Sequence, residues 1–283
     1  MTNVVPPQPP PAWGAHKPGV AASAVLWMSR NSIFGRGLLR KTTAAAFNAL
    51  HSGPVDVALW GSNVRLYPDN NVVERKALLR PDHFDALERE HLQRVMSKAD
   101  AVFVDVGGNA GLYSLDAALH AGDGATIVMI EPDTELIARF EFNLNESRLG
   151  GRLNSTIKVV TEAAAISDRD GSGVLSATGD EGSRSLVAGR TASGLTVALR
   201  TLVSVVSDAR VDHIDIMKID VEGHEDKVLP PFLRAAPPAL WPRHIIIEHL
   251  QRPQWQADCI ADALARGYEI VKTTRNNTFL VKN

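Results

Sequence analysis

Cysteine is almost missing: Cys259 is the single one in 283 residues. That excludes an internal disulfide and a cysteine-rich zinc site, and it suits a reducing compartment such as the cytoplasm. Long apolar runs are missing too. The longest apolar-leaning stretch near the start, Val20 to Met28, is far short of the roughly 20 residues that a membrane-spanning helix needs. No basic segment with a cleavage site reads as a signal peptide. Nor is there an excess of one charge: 30 Lys and Arg stand against 32 Asp and Glu, a net charge of -2. This gives no basis for expecting nucleic-acid binding. Internal repeats and heptads are also absent.

One local absence stands out. Met1 to Val55 contains no acid, while Lys17, Arg30, Arg36, Arg40 and Lys41 are basic. The first 19 residues are proline-rich and read as an extended arm. A basic, acid-free arm suits weak contact with a membrane surface or with a partner. The simpler expectation is a solvated tail followed by one helix, around Gly37 to Leu50, packed on the domain.

What is present is a chain of alternating elements. Residues 55–80 read as short strands and turns, with turn signals at Gly61-Ser62-Asn63 and Pro68-Asp69-Asn70-Asn71. A helix is predicted from about Asp82 to Ala99, with Phe84, Leu87, His91, Leu92 and Val95 on one face. From Ala101, apolar strands ("AVFVDV", "ATIVMIE", "STIKVV", "IDIMKID", "RHIIIEH") alternate with helices, and "YEIVKT" and "TFLVKN" read as a closing antiparallel pair. Near-continuous apolar strands imply an α/β fold whose mostly parallel sheet is covered on both faces. The expected organisation is an N-terminal tail and helical extension (1–55), strands and a helix packing on the core (56–100), and a ligand-binding domain (101–283).

Ligands of such sheets bind beyond the carboxyl ends of the strands. The first strand ends in Asp105-Val106-Gly107-Gly108-Asn109-Ala110-Gly111, whose glycines permit a tight turn and close backbone approach. The second ends in Glu131, 20 residues after Gly111, where an acid can receive two ribose hydroxyls. A dinucleotide loop wants glycine at the position of Asn109, and Asp105 would repel a pyrophosphate while attracting an amino group. S-adenosylmethionine has an amino group, a ribose and no phosphate, and is preferred to NAD. After the third strand, Glu162 or the backbone at Ala163 is a candidate for adenine. The fourth and fifth strands end in Asp220-Val221-Glu222-Gly223-His224 and Glu248-His249.

The stretches "FVDVGGNAGLYSL", "IVMIEPDTELIARFEFNLNES", "IDIMKIDVEGHEDKVL" and "IIIEH" together resemble the FkbM family of S-adenosylmethionine-dependent methyltransferases, over roughly residues 60–283. That family typically shows D-x-G-A-N-x-G followed by an aromatic, then K-I-D-V-E-G; here Gly108 replaces the alanine. The resemblance implies a Rossmann-like class I methyltransferase fold and O-methylation of a sugar, glycolipid or hydroxylated natural product.

On this reading Asp105 faces the cofactor amino group, directly or through water, and Gly107, Gly108 and Gly111 let the backbone approach. Asn109 either holds the loop or touches the cofactor carboxylate, and Glu131 takes the ribose. Lys218, on a buried strand, needs a partner, Asp220 or Glu248; its other reading is a substrate role. Asp220, Glu222, His224 and Glu248 are the candidates for the base that activates a hydroxyl, with no resident metal expected. Arg184, in the segment "SRS", could meet an acceptor hydroxyl or anion. The alternatives are an NAD-dependent oxidoreductase, a non-catalytic binding module of the same fold, and methylation of nitrogen.

Overall fold

The computed structural model describes residues 10–33, 37, 39–176, 186–187 and 194–282. Two helices come first, α1 (Val20–Asn31) and α2 (Leu39–Leu50), then a hairpin of β1 (Val55–Leu59) and β2 (Ser62–Leu66). After α3 (Val72–Leu79) and α4 (Ala86–Met96) come β3 (Val102–Val106), α5 (Leu112–Leu119), β4 (Thr126–Ile130), α6 (Thr134–Leu149) and β5 (Lys158–Glu162). A small sheet follows, built from β6 (Ala165–Ile166), β7 (Gly171–Ser176), β8 (Leu186–Val187) and β9 (Gly194–Arg200), in the order β6-β9-β7-β8. The chain then runs through α7 (Leu202–Asp208), β10 (Ile216–Ile219), α8 (Leu229–Ala235), β11 (His244–Glu248), α9 (Cys259–Ala265), β12 (Glu269–Thr273) and β13 (Asn277–Val281).

Among the described residues the main sheet has seven strands in the order β12-β13-β11-β10-β3-β4-β5. The five central β/α strands are parallel, and β13 is antiparallel to both of its neighbours. This is the expected Rossmann-like sheet with a terminal antiparallel hairpin. The alternation of side chains along each strand divides the core in two. Phe103, Ile127, Met129, Ile216, Ile246 and Phe279 face α4, α5 and α6. Val104, Val106, Val128, Ile130, Met217, Ile219, Ile245 and Ile247 face α7, α8 and α9. Asp105 and Lys218 break this pattern. They are register partners on adjacent strands and therefore share the first face.

Three expectations about the N-terminal third need correction. First, the tail is not free from residue 11 onward; though largely exposed, it is tied to the hairpin. Trp60 and Gly61 both have positive φ, 49° and 78°, and make a two-residue turn that sets Asp56 opposite Arg65. These two form a buried ion pair of 2.7 Å. Asp56 accepts the Gly14 and His16 amides, Arg65 donates to the Pro11 and Ala12 carbonyls, and Trp13 donates to the Val64 carbonyl. The charges that fix the hairpin thus also hold residues 11–16. Second, the extension carries α1 in addition to the expected helix at α2. Third, the Asp69-Asn70-Asn71 run is a helix start as well as a turn. The Asn71 side chain accepts the Val73 and Glu74 amides at the head of α3, as an N-cap should. The helix expected from Asp82 begins at Ala86, after a 3-10 turn at Pro81–His83.

Candidate active site

A cavity of about 290 Å³ opens at the carboxyl ends of the parallel strands. Its floor includes the turn after β3. Gly107 sits at φ 78°, and a Cβ there would lie 1.9 Å from the Asp220 carbonyl oxygen, so only glycine lets β3 and β10 end side by side. At Gly111, φ 70°, a Cβ would fall 2.3 Å from the Phe140 ring.

The amides of this turn are used internally. Gly107 and Gly108 donate to the Ile130 carbonyl, Asn109 to Glu131 Oε2, Ala110 to Asn109 Oδ1 and Gly111 to the Gly108 carbonyl. No fan of free amides from 107 to 111 remains to cradle a pyrophosphate, unlike a phosphate-binding loop. Asn109 is itself left-handed (φ 52°), and its Oδ1 also accepts from Asn71 Nδ2 at 2.7 Å. Its side chain therefore ties the turn to the cap of α3.

Glu131 closes β4 with both carboxylate oxygens engaged. Oε2 takes the Asn109 amide at 2.9 Å and Oε1 the Asp133 amide at 3.0 Å. Two of about four acceptor positions stay open. Burial pushes its pKa up to about 7 against the pull of those amides. Pro132, Ala164, Ala165, Ile166 and Leu175 add an apolar wall beside it.

Asp105 lies one layer lower. It is wholly buried and does not line the cavity; Ser114 Oγ donates to its Oδ2 at 2.7 Å, and its Oδ1 has no partner among the described residues. The expectation that it faces a ligand directly is corrected: the Gly107-Gly108 turn covers it. Burial raises its pKa, opposed by Lys218 and Ser114. Glu162 and Ala163 also stand outside the cavity lining. Glu162 is paired with Arg200 at 3.1 Å, Ala163 is exposed, and the next residues, Ala164 to Ile166, turn inward instead. Arg184 lies outside the described residues.

The opposite wall is acidic. Lys218 donates to Asp220 Oδ2 at 2.9 Å, and its ammonium stands 4.8 Å from the centroid of the Tyr113 ring. Burial alone would lower the ammonium pKa, but the carboxylates of Asp220, Asp105 and Glu248 outweigh it and hold it above the usual lysine range. Glu222 and Glu248 line the same wall. Burial, then repulsion from Asp220, lifts Glu222 to about 7. The same causes, with Glu222 added, lift Glu248 to about 8. His224 lines the cavity too, and its buried Nδ1 has no partner among the described residues. Among the described residues no group of three or more His, Cys, Asp or Glu is arranged to hold a metal ion.

Several residues were not singled out from sequence. Glu225, fully buried, accepts the Val221 and Gly223 amides and the Trp255 indole, and so holds Glu222 at its strained φ of 53°. Strain in a non-glycine residue beside a cavity is a mark of a functional loop. Asp85, also left-handed at φ 40°, accepts the Tyr113 hydroxyl at 2.9 Å and lines the cavity with Asn276 and Asn277. The cue for Glu225 was available: an acid three residues after Glu222, at the head of a helical turn.

A family model described as the methyltransferase FkbM domain matches residues 105–272. No curated protein matches the sequence. Among solved structures, the chain is similar to precorrin-6y C5,15-methyltransferase from Geobacter metallireducens (12% identity, 69% of this chain and 87% of that one, TM-score 0.39). It is also similar to a ribosomal protein L11 methylase from Lactobacillus delbrueckii (15%, 71% and 80%, TM-score 0.38). A methyltransferase from Geobacter sulfurreducens is a third (17%, 70% and 79%, TM-score 0.39).

Proposed function

The chain belongs to the FkbM family of S-adenosylmethionine-dependent methyltransferases, and from that premise we propose that it methylates a hydroxyl oxygen on a sugar, a glycolipid or a hydroxylated natural product. Its sheet is that of a class I methyltransferase. When bound, S-adenosylmethionine supplies a methyl group already activated on a sulfonium. The protein has to hold that group, align the acceptor and take a proton.

The residues present fit the cofactor. Glu131 keeps acceptor positions open for the two ribose hydroxyls while backbone amides fix its orientation. Ala164, Ala165 and Ile166 offer an apolar wall for adenine. Gly107 and Gly108 leave room at the turn, and the Asp105 carboxylate below it is one of the charges that keep Lys218 protonated. Lys218 in turn hydrogen-bonds Asp220, which lines the cavity. Alignment alone can contribute about 7–11 kcal/mol to the barrier.

An alcohol is a poor nucleophile until its proton is shared with a base. The observation that carries the reading is the pairing of Glu222 and Glu248 on the wall facing Glu131, both with pKa values near neutrality. That is the range in which a general base works best. His224, with its open Nδ1, stands beside them. The test is transfer of labelled methyl from S-adenosylmethionine to sugars with free hydroxyls, to the same sugars already O-methylated, and to amines. Label in an ether on the free sugar alone is expected. Label on nitrogen, or equal transfer to the blocked sugar, would contradict an oxygen acceptor.

A further inference from the structure

Thirteen large apolar side chains stand in solvent among the described residues, and six of them fall within residues 20–50: Val20, Trp27, Met28, Ile33, Leu39 and Leu50. Val20 is 91% exposed, Ile33 65% and Trp27 64%. On α1 the exposed Val20, Ala24, Trp27 and Met28 recur at helical spacing and form one stripe. The opposite stripe, Ala22, Val25, Leu26 and Ser29, is buried where α1 packs on α2 and α3. A helix apolar on both stripes has a second face to cover.

The stripe is held in place. Ser29 Oγ donates to the Leu79 carbonyl and Arg30 Nε to the Leu78 carbonyl, each at 3.0 Å, which fastens α1 to the end of α3. The segment's own charges are of one sign, and an acid outside it, Asp82, stands beside Arg30. Lys17 precedes α1, Arg40 and Lys41 open α2, and all three are exposed. The first acid in the chain is Asp56, which is buried against Arg65.

We propose that the exposed face of α1, with Ile33 beyond its end, docks on an anionic lipid surface, with Lys17, Arg40 and Lys41 supplying the attraction. Exposed Trp and aliphatic groups rimmed by cations suit the boundary between headgroups and acyl chains. A protein partner of mixed charge would find no acid on this segment to pair with its own cations. Among the described residues no helix is long and apolar enough to cross a membrane, so the contact is peripheral. The other end of α3 supplies Val72, Val73 and Lys76 to the cavity. A surface touching α1 therefore lies within one short helix of the site. That it presents a lipid-borne acceptor rests on the function proposed above; the docking itself does not.

The test is co-sedimentation of the full chain with phosphatidylcholine vesicles, with and without phosphatidylserine, at low and high salt. Binding is expected only with phosphatidylserine and is expected to weaken with salt. Trp27→Ser with Ile33→Ser should abolish it. Arg40→Glu with Lys41→Glu should weaken it by at least about 30-fold at low salt. All four positions are exposed, and the thermal shift given by S-adenosylhomocysteine should be unchanged in both variants, so a failure of docking stays distinct from a failure of cofactor binding. No binding to the anionic vesicles, or binding that both double variants leave intact, would overturn the proposal. So would self-association in sedimentation velocity that Trp27→Ser removes, because the face would then be a protein interface.

Discussion

The two walls of the cavity hold carboxylates in opposite ways. On the glycine side, Glu131 is oriented by two backbone amides, one from the turn after β3 and one from the start of its own helix. On the other side, Asp220, Glu222 and Glu248 come from two strands, and one buried cation, Lys218, faces them all. The first wall is built before any ligand arrives, as suits a part that only binds. The second is a balance of repulsion against Lys218, with exposed Lys76 also acting on Glu222, so its protonation can change as chemistry proceeds.

The contrast is broken most severely by Lys218→Met. Removing the cation leaves buried Asp105 and half-buried Asp220 without their counter-charge, and a loss of about 3–5 kcal/mol in chemical denaturation is expected. Glu131→Gln turns its NH2 against one of the two backbone N–H groups it now accepts, so a smaller loss of about 1–3 kcal/mol is expected. A comparable loss there would erase the distinction.

The next effect is on turnover. Glu222→Gln or Glu248→Gln, whichever residue is the base, should lower turnover by about 10²–10⁴-fold with cofactor affinity spared. Glu131→Gln should do the reverse, weakening S-adenosylhomocysteine binding by about 10- to 100-fold through one charged hydrogen bond. Calorimetry and initial rates separate the two. Equal effects of these variants on binding would mean that the walls share one role.

The smallest effect is a pH signature. Folded Glu222 and Glu248 titrate at about 7 and 8 against an ordinary value of 4.5. Between 4.5 and 8 the folded state then holds more protons than the unfolded one, so stability should fall as pH rises through that window. Turnover should rise as the base loses its proton. The double Glu→Gln variant should flatten the turnover curve and reduce the stability slope, leaving only the part that Glu131, also raised to about 7, contributes; a stability that instead climbs across this window would contradict the acidic wall as described.

The glycine wall was legible in sequence because its parts lie within one β/α/β stretch, and Asp105, Gly107, Asn109 and Glu131 sit at spacings the chain displays. The acidic wall was legible residue by residue. Its balance was not, because the Lys218-Asp105 proximity depends on parallel register between β10 and β3. Asp105 itself was placed one layer too high, since sequence shows that an acid ends a strand but not that the following turn covers it. The N-terminal segment misled for a similar reason. Asp56 and Arg65 each resemble surface charges on an alternating strand, and only the two-residue turn at Trp60-Gly61, rather than one centred on Gly61-Ser62-Asn63, brings them together. Glu162 looked like an adenine ligand because it ends β5; Arg200, from the small sheet, takes it.

A crystal structure of the protein with saturating S-adenosylhomocysteine tests the cofactor cleft most directly. Both ribose hydroxyls should donate to Glu131, adenine should lie against Ala164 to Ile166, and the thioether sulfur should point toward Glu222 and Glu248. A ligand seated elsewhere, or a cavity that stays empty and instead takes a pyrophosphate from NADH, would contradict it.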